Sequence, residues 1–543
     1  FVPALHALGR AYLAKAWYAD AARELARAEK LAPESLAVAA DLGRALLDLG
    51  AVKDAEAQAD KILGREPQNV GGLYVRAGAL LGQGKAEEAL AVLEPLAKVP
   101  NALPPEMLPI RAEALARLGK ADQAEQAFRA AVAVNPKDAR SLAGLAALSL
   151  SRNRLDEASR LYLDAKAIRP TDPRIRMGLA MVRARQGQLP EAIRELEEVN
   201  PRARNVGFLM ALGAFYIQGN RPNDASALLG PVVERFPKLP QARLLLGTAY
   251  LVADRPDPAL AHLEATNRRV PNDPLVQYRL AQAYGRRGRP KEALASLGAV
   301  AKQLEKASDY HIERARNLAL LGRTDEALKA AGDGQRLAPQ SPQPYLLMGQ
   351  IHAQAGNTAK AREMFAKAAE VDTGFAPARL ALGRLHVAEK DMAAALKEFD
   401  LAVQADPKSL AAARTKAAAL VQQNRVKEAI QFVEGAAKAE PRQGGFHALL
   451  GGLYARDRQW DKAAAAYKKA LEVDPRGIGA RLGLARVALA QQREDEAIAQ
   501  LQAVVKEQPA QPTAVLLLGA LYDKRAQYDQ SIAVLEAADK ARP

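Results

Sequence analysis

The chain has 543 residues and no cysteine, so neither a disulfide nor a thiolate metal site can form within it. Apolar residues make up 49% but aromatic ones only 5%, with alanine and leucine prominent, a composition that favours helices over strands. The net charge is +15, and residues 201–300 alone hold 14 basic against 7 acidic side chains, so an anionic surface or nucleic acid must be weighed as a partner there. No apolar run reaches the roughly 20 residues that a membrane-spanning helix needs.

Taken in chain order, the sequence repeats itself. A small residue follows an apolar stretch at Gly9, Gly43, Ala77, Ala112, Ala146, Ala180, Gly213, Gly247, Ala281, Ala315, Gly349, Gly383, Ala417, Gly451, Ala485 and Gly519. The spacing is 34 residues, with one 35 (77 to 112) and one 33 (180 to 213). Twelve residues after each comes an alanine, from Ala21 through Ala259 to Ala497, and finally Ser531. Twenty-four residues after it comes proline in twelve of sixteen units, among them Pro33, Pro136, Pro271, Pro407 and Pro543. Each unit is therefore predicted to be two helices joined by a turn. Turn glycines such as Gly50, Gly119, Gly187, Gly288, Gly322 and Gly356 end the first helix in a left-handed conformation. Proline, which cannot continue a helix, ends the second.

The recurrence has a physical cause. Two helices approach closely only where side chains are small, so the Gly or Ala of the first helix is expected to meet the Ala of the second. A larger residue there would overpack by about 1–3 kcal/mol. Leu8, Tyr12 and Leu25, Leu212, Tyr216 and Leu229, and Leu450, Tyr454 and Tyr467 are expected to fill the space around these contacts.

Five places break the pattern. VPNALPPEMLPIR (99–111) carries an extra residue and four prolines, predicting a longer, stiffened turn and a local change of pitch. VNPRARN (199–205) is one residue short, with Pro201 displaced. AKQLEKASDYHIERAR (301–316) has no proline, which predicts a longer second helix. VDTGFAPAR (371–379) shifts its proline to Pro377. Gly332 and Gly334 fall inside a second helix, as a hinge or as a weak but tolerated helix.

The small–small–proline register resembles the tetratricopeptide repeat. The resemblance implies an all-α chain, a right-handed superhelical α-solenoid of sixteen units with a concave groove. One continuous array over 1–543 is expected, with units starting near 2, 36, 70, 105, 139, 173, 206, 240, 274, 308, 342, 376, 410, 444, 478 and 512. Ile532 and Leu535 on the last helix have nothing after them to cover them, so the natural protein is expected to extend beyond one or both ends.

No chemistry-bearing constellation emerges. The histidines (His6, His262, His311, His352, His386, His447) lie on different units without metal-ligand spacing. HIER at 311–314 lacks the second histidine of a helical zinc motif, and GQGK at 82–85 is an inter-helix turn. No catalytic residue, metal or cofactor is expected. The partners expected are proteins or peptides.

The resemblance implies that first helices line the groove, at the position after the small residue and three before or after it along the helix. Central units then offer Leu150, Met177, Met181, Met210, Ile217, Leu244 and Leu251, an apolar stretch suited to an irregular apolar partner. Outer units offer Arg10, Arg44, Arg316, Arg384, Arg414 and Arg486, suited to carboxylates. The composition and array length are similar to bacterial tetratricopeptide proteins of the cell envelope, including repeat lipoproteins of exopolysaccharide export and PEP-CTERM sorting. An envelope or periplasmic scaffold is the reading this favours; a cytoplasmic location is the alternative. A recognition arm for an enzyme whose catalytic domain lies outside these residues is a second reading. Nucleic-acid binding through Arg268, Arg269, Arg286, Arg287 and Arg289 is a third, weakened by the absence of interleaved aromatics.

Overall fold

The computed structural model describes residues 1–97, 104 and 107–541. Among these, all regular secondary structure is helical. The stiffened turn expected at 99–111 lies largely outside them, as does Pro543. The chain forms two compact units, Phe1–Arg287 and Gly288–Pro543. Each is a run of helices, most of them packed as consecutive pairs.

Local chemistry sets where helices start and stop. Ser35, Asn69, Asp138, Asp172, Asn205, Asp273 and Ser409 are N-caps whose side chains accept from backbone N–H groups of the first turn. Prolines open Pro173–Arg185, Pro240–Val252, Pro274–Arg286 and Pro342–Gln354, where a missing N–H costs nothing. A left-handed residue follows the first helix of every repeat. Glycine fills it at seven (Gly50, Gly84, Gly119, Gly187, Gly288, Gly322, Gly356) and residues such as Asn153, Asp254 and Asn424 at the others. Sequence reasoning recognised this position only where glycine marks it.

The hairpin interior differs from the small-on-small expectation. Ala21, Ala55, Ala124 and Ala463 and their equivalents are indeed wholly buried. Six of the eight glycines in this register, however, face a large residue of the second helix, while Gly43 meets Val75 of the next repeat and Gly519 meets Ser531. A Cβ on Gly9 would lie 2.5 Å from Leu25, one on Gly213 2.9 Å from Leu229, and one on Gly451 2.8 Å from Tyr467. Glycine at these positions is thus a hole for a knob sixteen residues on, and Leu25 and Leu229 are fully buried in it. Leu8 is an exception at 40% exposed.

The irregular segments resolve individually. At 199–205 the chain makes a short 3-10 turn, Pro201–Ala203, and Arg204 caps the preceding helix by donating to the carbonyls of Val199 and Glu197. At 371–379 Pro377 sits in the first turn of Ala376–Ala388. The longer helix expected at 301–316 does not form. Pro290–Ala299 stops at the wholly buried Val300, which leaves helical geometry (φ −123°, ψ 18°), and a separate short helix Ala301–Leu304 follows. Thr324–Leu337 runs unbroken through Gly332 and Gly334.

Candidate functional site

In the first unit the first helices of six successive repeats meet around one space. Leu13 and Ala14, Arg44 and Asp48, Tyr74, Pro109, Arg140 and Arg174 all line a cavity of about 340 Å3. They come from Val2–Ala14, Leu36–Leu49, Val70–Gly82, Leu108–Arg117, Ala139–Ser151 and Pro173–Arg185. A neighbouring cavity of about 490 Å3 shares Arg140, Arg169 and Arg174. It is lined on one side by Ala139, Ala143 and Ala147, spaced along a single helix, and by Phe128 and Tyr162. The inner face here is a half-open chamber, with Ala14 and Arg174 exposed on its wall.

A network of polar contacts ties its two ends together. Tyr18 Oη donates to the Asp172 carboxylate at 3.2 Å and accepts from Arg174 Nη2 at 3.0 Å. Arg174 Nη1 reaches Asp48 at 2.7 Å, and Thr171 Oγ1 donates to the carbonyl of Lys15 at 3.1 Å. The turn of the first repeat is thereby tied to the start of the sixth. Burial alone would raise the Asp172 carboxyl, but the Arg174 guanidinium outweighs it and holds the pKa below the ordinary value. Burial raises the Tyr18 phenol, so it stays protonated and able to donate.

Across the chamber Arg140 donates to Tyr74 Oη at 2.6 Å and to Glu113 at 2.8 Å. Burial works against a charge on Glu113, yet Arg140 and Arg117 bring its pKa below the ordinary value. Arg44 lies over the Tyr74 ring, 4.5 Å from its centre.

The apolar candidate residues fall into three groups. Leu150 and Leu251 are 6% and 2% exposed and belong to the interior of their repeats, so they offer a partner no surface. Met177, Met210, Ile217 and Leu244 are half-buried and pack against those interiors. Met181, at 43% exposed, is the open member of the apolar set. Among the arginines, Arg10 is exposed beside Asp41, Arg44 lines the chamber, and Arg316 pairs with Glu313 at 2.9 Å. Arg384, Arg414 and Arg486 are exposed and make no ion pair among the described residues. In the basic stretch, Arg286 pairs with Asp254 and Arg287 with Asp257, while in the second unit Arg289 pairs with Glu292.

Sequence reasoning missed Tyr18, Asp48, Tyr74, Arg140, Arg169 and Arg174. A signal was present. Asn135, Asp138 and Arg140 recur 34 residues later as Arg169, Asp172 and Arg174, and all but Asp172 line the smaller cavity.

Sequence profiles described as tetratricopeptide repeat match residues 6–102, 115–198, 216–342 and 346–512 in overlapping segments. The chain belongs to the tetratricopeptide repeat family. Such repeats indicate a protein–protein interaction scaffold. No curated protein sequence matches the chain. Solved structures similar to it include the APC/C hetero-tetramer Cut9–Hcn1, at 18% identity and a TM-score of 0.34 over 96% of each chain. Human IFIT1, solved as a dimer with PPP-AAAA, is 17% identical, with a TM-score of 0.39 over 67% of this chain and 89% of that one. A thermophilic tetratricopeptide protein of Thermus thermophilus, TTC0263, is 23% identical, with a TM-score of 0.32 over 34% of this chain and all of the other. Among the described residues no helix is long and apolar enough to cross a membrane.

Proposed function

We infer that the chain is a non-catalytic scaffold, one continuous repeat array over 1–543, that holds acidic segments of partner proteins against the first helices of its repeats. The observation carrying this reading is the set Arg384, Arg414 and Arg486, three exposed guanidinium groups on first helices of the second unit without an ion pair among the described residues. A guanidinium matches a carboxylate with two parallel hydrogen bonds, and an exposed one can form them without first giving up an ion pair within the chain. Met181 supplies an exposed adaptable apolar contact in the first unit. Composition and array length support a place in a bacterial envelope or secretion assembly.

The test is affinity capture from the source organism with the chain and with a charge-reversed variant, Arg384→Glu, Arg414→Glu and Arg486→Glu, matched for helicity. A partner recovered by the native chain and lost with the variant, and weakened by salt, is the expected result. Equal recovery by both would move partner binding away from these helices.

A further inference from the structure

We propose that the chamber of the first unit is a binding site for a phosphate group. The site rests on the fold of that unit and is independent of the partner-binding reading above. Four guanidinium groups, Arg44, Arg140, Arg169 and Arg174, line the cavity of about 340 Å3, against the carboxylates of Asp48 and Asp138. The acids are already engaged. Asp48 takes Arg174 at 2.7 Å, and Asp138 caps a helix by accepting from the backbone N–H of Ser141 at 3.0 Å. Glu113 and Asp172, on the side of the larger cavity, are held by Arg140 and Arg174.

Two guanidinium groups remain underused. Arg44 makes its contact with the face of the Tyr74 ring, and Arg169 reaches its nearest carboxylate, Asp172, only at 4.0 Å. Each carries five N–H donors. They enter from different walls, Arg44 from the helix Leu36–Leu49 and Arg169 from the turn before Pro173–Arg185. A carboxylate presents its acceptors in one plane and suits a single fork. A phosphate presents oxygens in several directions and can accept from converging guanidinium groups at once. The cavity volume is that of a small-molecule site. The phosphate source is either a free phosphate compound or a phosphoryl group on a peptide.

The full chain would be titrated calorimetrically with inorganic phosphate, with a phosphoserine peptide and with succinate as the carboxylate comparator. Two variants accompany it: Arg44→Ala with Arg169→Ala, which removes the underused donors, and Ala14→Glu, which places a negative charge on an exposed wall position. Saturable one-to-one binding of inorganic phosphate, weakened at least about tenfold by either variant, is expected for a free compound. Binding of the phosphopeptide alone, with the same loss, assigns the phosphate to a peptide. Melting curves establish that the variants fold; should one not fold, the other carries the comparison. No saturable phosphate binding overturns the proposal, as does succinate binding as tightly as phosphate, or binding that every folded variant leaves unchanged.

Discussion

Tyr18 Oη stands between Asp172 and Arg174, donating to the carboxylate at 3.2 Å and accepting from the guanidinium at 3.0 Å, across 154 and 156 residues of chain. Tyr18 is 8% exposed and Asp172 2%, so water cannot readily replace the bond between them. Tyr18→Phe keeps the ring and deletes the hydroxyl, leaving a buried acceptor short of a donor. The expected cost to closure is about 1–3 kcal/mol. Hydrogen exchange should speed up at residues 15–18 and 171–174 while the remaining helices keep their protection. Because the chain has no cysteine, Lys15→Cys with Thr171→Cys gives an independent check: a short bismaleimide, which adds to both thiols, should join the two sites in the otherwise native chain and do so more slowly in the Tyr18→Phe background.

The closure should loosen in acid. Asp172 and Glu113 both have pKa values lowered from ordinary ones of 3.8 and 4.5. A carboxyl with a depressed folded pKa contributes stability that is complete above its unfolded value and is lost as pH falls through the folded one. Stability of the first unit should therefore be flat through neutrality and decline below about pH 4. Hydrogen exchange of residues 171–174, corrected for intrinsic rates and followed from pH 6 to pH 3, would show it. Asp172→Asn should weaken the closure at neutral pH and flatten its acid response.

Glu195 is 4% exposed and faces three cations, Lys166 at 2.8 Å, Arg176 at 3.1 Å and Arg183 at 3.1 Å. Arg176 is itself only 8% exposed. Glu195→Ala leaves that buried charge with the exposed Glu198 and a backbone carbonyl, and should destabilise the surrounding repeats by about 1–3 kcal/mol. Glu326→Ala is the control. Its pair with Arg323 is half-exposed on both sides and should be worth at most about 1 kcal/mol. Urea unfolding followed by hydrogen exchange, which resolves local from global loss in a repeat array, separates the two.

The helix pairs were legible because hairpin packing demands small residues at a fixed period, and Gly9, Gly213 and Gly451 advertise it. What they pack against was not legible, since Leu25, Leu229 and Tyr467 read in sequence only as apolar residues on the next helix. The chamber was hidden for a different reason. Register places Arg44 and Arg174 on first helices, but whether repeats one and six touch depends on small rotations accumulated over five interfaces. No local pattern encodes that sum. Met177 and Met210 share a register position with surface candidates, yet tertiary packing draws both halfway into the interior.

Gly332 and Gly334 distinguish a hinge from a tolerated weakness by single substitutions. The helix Thr324–Leu337 passes through both without a left-handed residue. A Cβ at Gly332 would meet nothing within 4 Å. Gly332→Ala should therefore stabilise the second unit by about 0.5–1 kcal/mol, by restricting the unfolded chain and raising helix propensity. Gly334 has a packing role. Ser308 Oγ donates to its carbonyl at 2.8 Å, and an added Cβ would lie 3.3 Å from the Ser308 carbonyl oxygen. Gly334→Ala should gain less than Gly332→Ala, or lose stability, because the backbone of Ser308–Leu320 would have to retreat. Thermal melts of the two variants decide the order. A working hinge at 332 would show the reverse signature: unchanged stability for Gly332→Ala and slower exchange in the helices on either side.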